Sequence, residues 1–152
     1  MITQKFAFSH FCDDIRQEVG NKISLMGMYS GVLQVEAFPA AIQKLACASS
    51  LIMSRRALPE TVVARLYLNE QLLAEQAIPE GQVQILASNH PSDEVEKEDR
   101  LFISFYFLIA PLMFSEAGAL KAVITVDGEE MPSGKLRVIA VGSTPQTDTS
   151  SA

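Results

Sequence analysis

The chain has no tryptophan, two cysteines and only twelve lysines and arginines in 152 residues, against eighteen acids. Each shortage removes a class of explanation. With a net charge of -6 and scattered basic residues, of which Arg55-Arg56 is the one adjacent pair, no concentrated cationic surface exists to neutralise phosphates. The expectation is therefore no nucleic-acid partner and no binding to anionic membranes. Cys12 and Cys47 are spaced like the inter-sheet pair of an immunoglobulin domain, but the tryptophan that completes that pattern is missing. Reduced, structural thiols are expected instead. The first residues lack the basic start and apolar run of a secretory signal. The most apolar stretch, Leu101 to Phe114, is too short to span a bilayer and contains Ser104 and Pro111. A cytoplasmic protein with no membrane association is the resulting expectation.

What is present is a globular composition, 48% hydrophobic and 20% charged, with Val, Ile, Phe and Tyr in short runs separated by turn residues. Lys5 to Phe11 reads as a first strand, with Phe6 and Phe8 on one face. Asp13 to Asn21 breaks the pattern; Asp13 or Asp14 is placed to cap one or two helical turns that Gly20-Asn21 would end. Lys22 to Val35 reads as a long strand interrupted at Gly27 and Gly31 by a bulge or bend. Leu45 to Met53 carries small residues on both faces, as in a strand between packed layers, with a helix left open for 40–48. Thr61 to Leu68 and Gln71 to Ala77 form a hairpin about Asn69-Glu70. Gln82 to Leu86 reads as a short strand and Ala87 to Arg100 as an exposed acidic loop. Leu101 to Leu108 is apolar or aromatic at nearly every position, which predicts a core strand covered on both faces. Ala119 to Val126, the Asp127-Gly128 turn and Lys135 to Val141 complete the set. These elements predict an all-β fold, an antiparallel two-sheet β-sandwich of immunoglobulin-like kind with about eight strands. One domain over residues 1–141 and a disordered polar tail over 142–152 are expected.

Phe11-Cys12-Asp13-Asp14-Ile15-Arg16, then Glu18, Gly20-Asn21-Lys22, Ser24-Leu25, Gly27 and Tyr29, form a distinctive block. With the Val126-Asp127-Gly128-Glu129 turn, it resembles a group of small uncharacterised bacterial or phage-like proteins. The resemblance implies a β-sandwich and carries over no activity and no site residue.

Reactive side chains cluster only at His10, Cys12, Asp13 and Asp14. In an extended strand His10, Cys12 and Asp14 share a side, but a zinc site wants three or four well-placed ligands, and the chain holds two His and two Cys in all. A Cys12–His10 nucleophile pair lacks an orienting third group and an oxyanion hole. The acidic run from Ser92 to Arg100 lacks the spacing and glycine of a calcium loop. No catalytic residue, cofactor or metal is expected. Asp13, Asp14 and Arg16 read first as capping and ion-pairing residues, with a recognition segment as the functional alternative. The reading that remains is a non-enzymatic structural or protein-interaction domain, with an unknown protein or another copy of itself as partner. A small-ligand or carbohydrate-binding module is the second reading, and an enzyme with dispersed residues the third.

Overall fold

A computed structural model describes residues 4–89 and 100–142. These form eleven strands and one helix: β1 Phe6–Glu18, β2 Lys22–Met28, β3 Val32–Val35, β4 Ala40–Ile42, β5 Leu45–Ser54, β6 Val62–Leu68, β7 Gln71–Ile78, α1 Gln82–Asn89, β8 Arg100–Ile109, β9 Leu112–Phe114, β10 Gly118–Val126 and β11 Glu129–Ala140. β1, β2, β5 and β8 make a four-stranded sheet in the order β2-β1-β5-β8, and a five-stranded sheet runs β3-β11-β10-β6-β7. The short β4 and β9 pair separately. All pairings are antiparallel except β3 with β11. The fold is an all-β, immunoglobulin-like sandwich, and eight of its strands have seven residues or more.

The core follows from alternation. In β10, Leu120, Ala122, Ile124 and Val126 face inward, opposite Val62, Ala64 and Leu66 of β6 and beside Leu136 and Val138 of β11, and all are buried. From the other sheet Phe11, Cys47, Leu51, Leu101, Ile103, Phe105 and Phe107 meet them. The sheets approach closely where β1 passes β11: a Cβ on Gly134 would sit 3.0 Å from that of Ser9. There the Ser9 hydroxyl bridges those of Ser49 (2.8 Å) and Ser133 (2.7 Å), so the polar oxygens at this contact satisfy one another.

Several expectations are corrected. Asp13 to Asn21 forms no helical turn, and Asp13 and Asp14 cap nothing. β1 runs unbroken to Glu18, and Gly20 and Asn21, both at positive φ, turn the chain into β2. Lys22 to Val35 is two strands in different sheets, with Gly31 (φ 89°) at the crossing. For residues 40–48, where strand and helix both stood open, the chain forms β4 and the start of β5. Gln82 to Leu86 belongs to α1, whose Val83 and Ala87 are buried and whose Ala87 carbonyl accepts a hydrogen bond from Arg55 Nη1 at 2.9 Å. A short apolar run fits either period, and burial of positions four apart decides for the helix. Leu101 to Leu108 is covered on one face only, and it forms an edge of its sheet. Most of the polar stretch before it, residues 90–99, and of the tail, 143–152, lies outside the described residues.

Candidate interaction surface

The segment of β1 that carries Asp13, Asp14 and Arg16 is extended, so successive side chains leave opposite faces. Asp13 points to the inner side and lies across β2, where Tyr29 donates its hydroxyl hydrogen to Asp13 Oδ1 at 2.7 Å. Gly27 makes this possible: any Cβ there would collide with the Asp13 carboxylate, and its φ of 66° suits glycine. Burial, with this hydrogen bond to a carboxylate second, pushes the Tyr29 hydroxyl up to about 12. Asp14 faces outward. Its Oδ1 meets Lys44 Nζ at 2.9 Å and its Oδ2 lies 3.7 Å from Arg16 Nε. The hydrogen bond to Lys44 leads in holding the Asp14 carboxyl below its ordinary range. The structure thus brings Asp14 and Arg16 together and separates Asp13 from them. Each carboxylate is already engaged by a neighbour on another strand or loop.

The thiols are held in their neutral form. Cys12 is fully buried, donates to the Asp14 carbonyl at 3.4 Å, and is raised chiefly by burial. Burial also pushes Cys47 up to about 11. Cys12 shares its face with Ala46, whereas Cys47 shares the opposite face with Phe11, so the two cannot bridge, and both are free. A raised thiol is a poor nucleophile at neutral pH. Among the described residues, no three His, Cys, Asp or Glu side chains converge on a common point.

The unusual surface is the outer face of the four-stranded sheet. Strand register sets its side chains in rows. Phe6, Ile52 and Phe102 form one row, followed by Phe8, Ser50 and Ser104, then His10, Ala48 and Tyr106, then Met28, Cys12, Ala46 and Leu108. Small residues on β5 occupy the middle, and large apolar ones on β1, β2 and β8 flank them. The Phe8 and Phe102 rings stand 6.2 Å apart across that middle, and His10 meets Phe8 edge-on at 5.7 Å. Phe6, Met28, Phe102, Tyr106 and Leu108 are exposed, the last to 59%. These five side chains, at roughly 200 Å² apiece for a large apolar group, leave on the order of 500 Å² in water. That is within the range of the largest apolar patch of a monomer, a patch that is often functional. No Asp, Glu, Lys or Arg stands in the four rows. Asp14, Arg16 and Lys44 rim one end, and Arg100 opposes Ser54 at the other. A neutral apolar centre with a charged rim is the anatomy of a protein-binding surface.

A core strand covered on both faces from Leu101 to Leu108 implies that Phe102, Phe105, Tyr106 and Phe107 are all core, and the structure divides them. Phe105 and Phe107 are core, whereas Phe102 and Tyr106 face water. An open cleft of about 300 Å³ adjoins this face, lined by Ile15, Gln17, Ile23, Tyr106, Phe107 and Leu108. It stands at the small end for ligand pockets and draws few polar groups together. No helix among the described residues is long and apolar enough to cross a membrane.

Among curated proteins none matches this chain. A solved structure, the CARDB domain of the PF1109 protein from Pyrococcus furiosus in complex with di-metal ions, is similar at 9% identity. The match has a TM-score of 0.40 and covers 91% of this chain and 94% of that one. Residues 7–139, from the first strand of the sandwich into the last, match a family of unknown function, so this chain belongs to that family, DUF6941.

Proposed function

We propose that this protein is a non-enzymatic interaction domain that binds another protein through the outer face of its β2-β1-β5-β8 sheet. The observation that carries this reading is the four-row neutral surface, on which Phe6, Met28, Phe102, Tyr106 and Leu108 stand exposed. The absence of catalysis is supported by how the reactive groups are used. Both thiols are raised by burial, and Asp13 and Asp14 are engaged by Tyr29 and Lys44. Two free buried cysteines also fit a reducing compartment such as the cytoplasm. The acidic balance of the chain argues against a nucleic-acid partner. Asp14 and Arg16 then act at the rim, where charges set orientation and encounter rate more than affinity.

The test is site-specific photo-crosslinking in cells that make the protein. A photoreactive residue replacing Tyr106 should yield a discrete protein adduct. One replacing Lys121, on the other sheet, should not. No adduct from Tyr106, or equal adducts from both positions, overturns the reading.

A further inference from the structure

We infer that the β1–β2 ribbon beyond Cys12 is a strap that closes across the adjoining cleft onto Tyr106 and Leu108, masking one end of the protein's own interaction surface. This rests on the reading that the outer face is an interaction surface, and it adds the regulation of that face. Up to Cys12, β1 lies between β5 and β2. Beyond it β1 pairs with β2 alone, and β2 has no other strand neighbour. The ribbon therefore runs past the sheet, from Asp14 opposite Met26 to Glu18 opposite Lys22. A two-stranded hairpin is marginal by itself and gains from packing on a larger body.

The ribbon bends toward β8. Ile15, Gln17 and Ile23 share one of its faces, because Gln17 stands opposite Ile23. These three form one wall of the cleft, and Tyr106, Phe107 and Leu108 form the other. A flat sheet would keep the walls apart. Tyr106 stands in the row of His10 and Ala48, with β5 between it and β1. Flat spacing would put Ile15 about 17 Å along the strands and about 10 Å across them from Tyr106. Both line a space of about 300 Å³ only because the ribbon leans over the end of the sheet. The place of the bend is visible in the ladder, which pairs Cys12 with Met28 and Asp14 with Met26 but skips Asp13 and Gly27. Gly27 has a φ of 66°, and a glycine at a skipped rung is where a change of backbone angle costs least. Asp13 is tied there to Tyr29 and Asp14 to Lys44, so the pivot is fixed while the ribbon beyond it swings.

The two faces of the ribbon decide which way it closes. Ile15, Gln17, Ile23 and Leu25 stand on the cleft side, and Arg16, Glu18, Lys22 and Ser24 on the other. The cleft side carries no charge beyond Asp13 at the pivot, so closure desolvates no ion, and the charged side stays in water. Both walls expose apolar surface: Ile23 is 41% exposed, Tyr106 41% and Leu108 59%. Bringing them together removes that surface from water, which is favourable and needs no directed bond. A partner that uses Tyr106 and Leu108 must displace the strap, and its apparent affinity falls by the fraction of molecules that are closed.

The chain contains no tryptophan, so Ile23→Trp in the full chain reports on the strap alone. Its emission should be blue-shifted and protected from acrylamide, and Leu108→Ser in the same background should raise its quenching several-fold. A tryptophan open to acrylamide, or one indifferent to Leu108→Ser, overturns closure. Should the tryptophan variant fail to fold, the unaltered protein decides. Nuclear Overhauser contacts should join the methyls of Ile15 and Ile23 to those of Leu108, and their absence overturns closure. Masking is read separately. Ile15→Ser with Ile23→Ser removes the apolar wall of the strap and leaves β8 untouched, so it should raise the yield of the Tyr106 photo-adduct several-fold. An unchanged or lower yield overturns the masking. If Tyr106 gives no adduct in either protein, the interaction reading falls and the masking with it, while the tryptophan and Overhauser measurements still decide whether the strap closes.

Discussion

The outer faces of the two sheets follow opposite rules. On the five-stranded sheet, Arg65 Nε meets Glu75 at 2.7 Å and Lys121 Nζ reaches Glu70 at 3.5 Å, beside Thr125, Lys135 and Arg137. That is the alternation of an antiparallel sheet with one face in the core and one in water. On the four-stranded sheet the same alternation runs apolar on both sides: Phe105 and Phe107 inward, Phe102, Tyr106 and Leu108 outward. A face in water does not need phenylalanine and methionine for folding, and it is on this second pattern that the proposed interaction surface rests.

Two phenylalanines in one strand test this contrast most strongly. Phe107 is 3% exposed and Phe102 is 53% exposed. Phe107→Ala should cost about 3–5 kcal/mol in urea unfolding. Phe102→Ala, measured on dilute monomer, should cost less than about 1 kcal/mol. Equal losses would mean that the outer face contributes to the fold itself. Next in size is Gly27→Ala, where a side chain must adopt positive φ and displace the Asp13 carboxylate from Tyr29. Its cost should be about 1–3 kcal/mol, seen as a lower thermal midpoint, and a neutral result would remove the reason for glycine there.

A smaller effect concerns the rim. The Asp14 carboxyl is lowered in the folded state by Lys44, so its contribution is present above the unfolded value of about 3.9. It is lost as pH falls through the folded value. Lys44→Met should therefore flatten the acid limb of stability below about pH 4, while leaving the alkaline limb unchanged. Smallest of all is Arg65→Ala on the solvated sheet, expected to change stability by under about 1 kcal/mol and to leave Tyr106 crosslinking intact. Leu108→Lys, on the apolar face, should abolish the adduct without unfolding the protein. If Arg65→Ala had the larger effect on crosslinking, the two faces would have been assigned in reverse.

Much of the sandwich was legible from local signals. Asn69, at φ 52°, turns β6 into β7 where the Asn-Glu pair predicted it, and Asp127-Gly128 turns β10 into β11. The small residues of β5 mark a central strand, but no second layer covers its outer face; Ala46, Ala48 and Ser50 are buried there by the larger side chains of the flanking strands. Illegible was whatever depended on a neighbour elsewhere in the chain. Asp13-Asp14 resembles a helix cap until Tyr29 and Lys44 are placed beside it, and the Val83–Ala87 pair shows its helical period only once the sandwich is there to bury it. The candidate surface was missed for a sharper reason. A strand apolar on both faces has one appearance in sequence, whether its second face meets another layer of the same fold or another molecule.

The length of β1 carries a consequence for the order of events in folding. Its first half, up to Cys12, pairs with β5, and its second half, from Cys12 onward, pairs with β2. The second pairing closes through a tight turn and is of the kind that forms in microseconds. The first must bring Cys12 to Ala46 across a long stretch of chain and is slower. One strand thus serves two ladders whose registers are set by different means, a turn in one case and the burial of Phe11 and Cys47 in the other. Lengthening the Gly20-Asn21 turn by one residue should therefore shift β2 against β1 and leave Phe11 opposite Cys47.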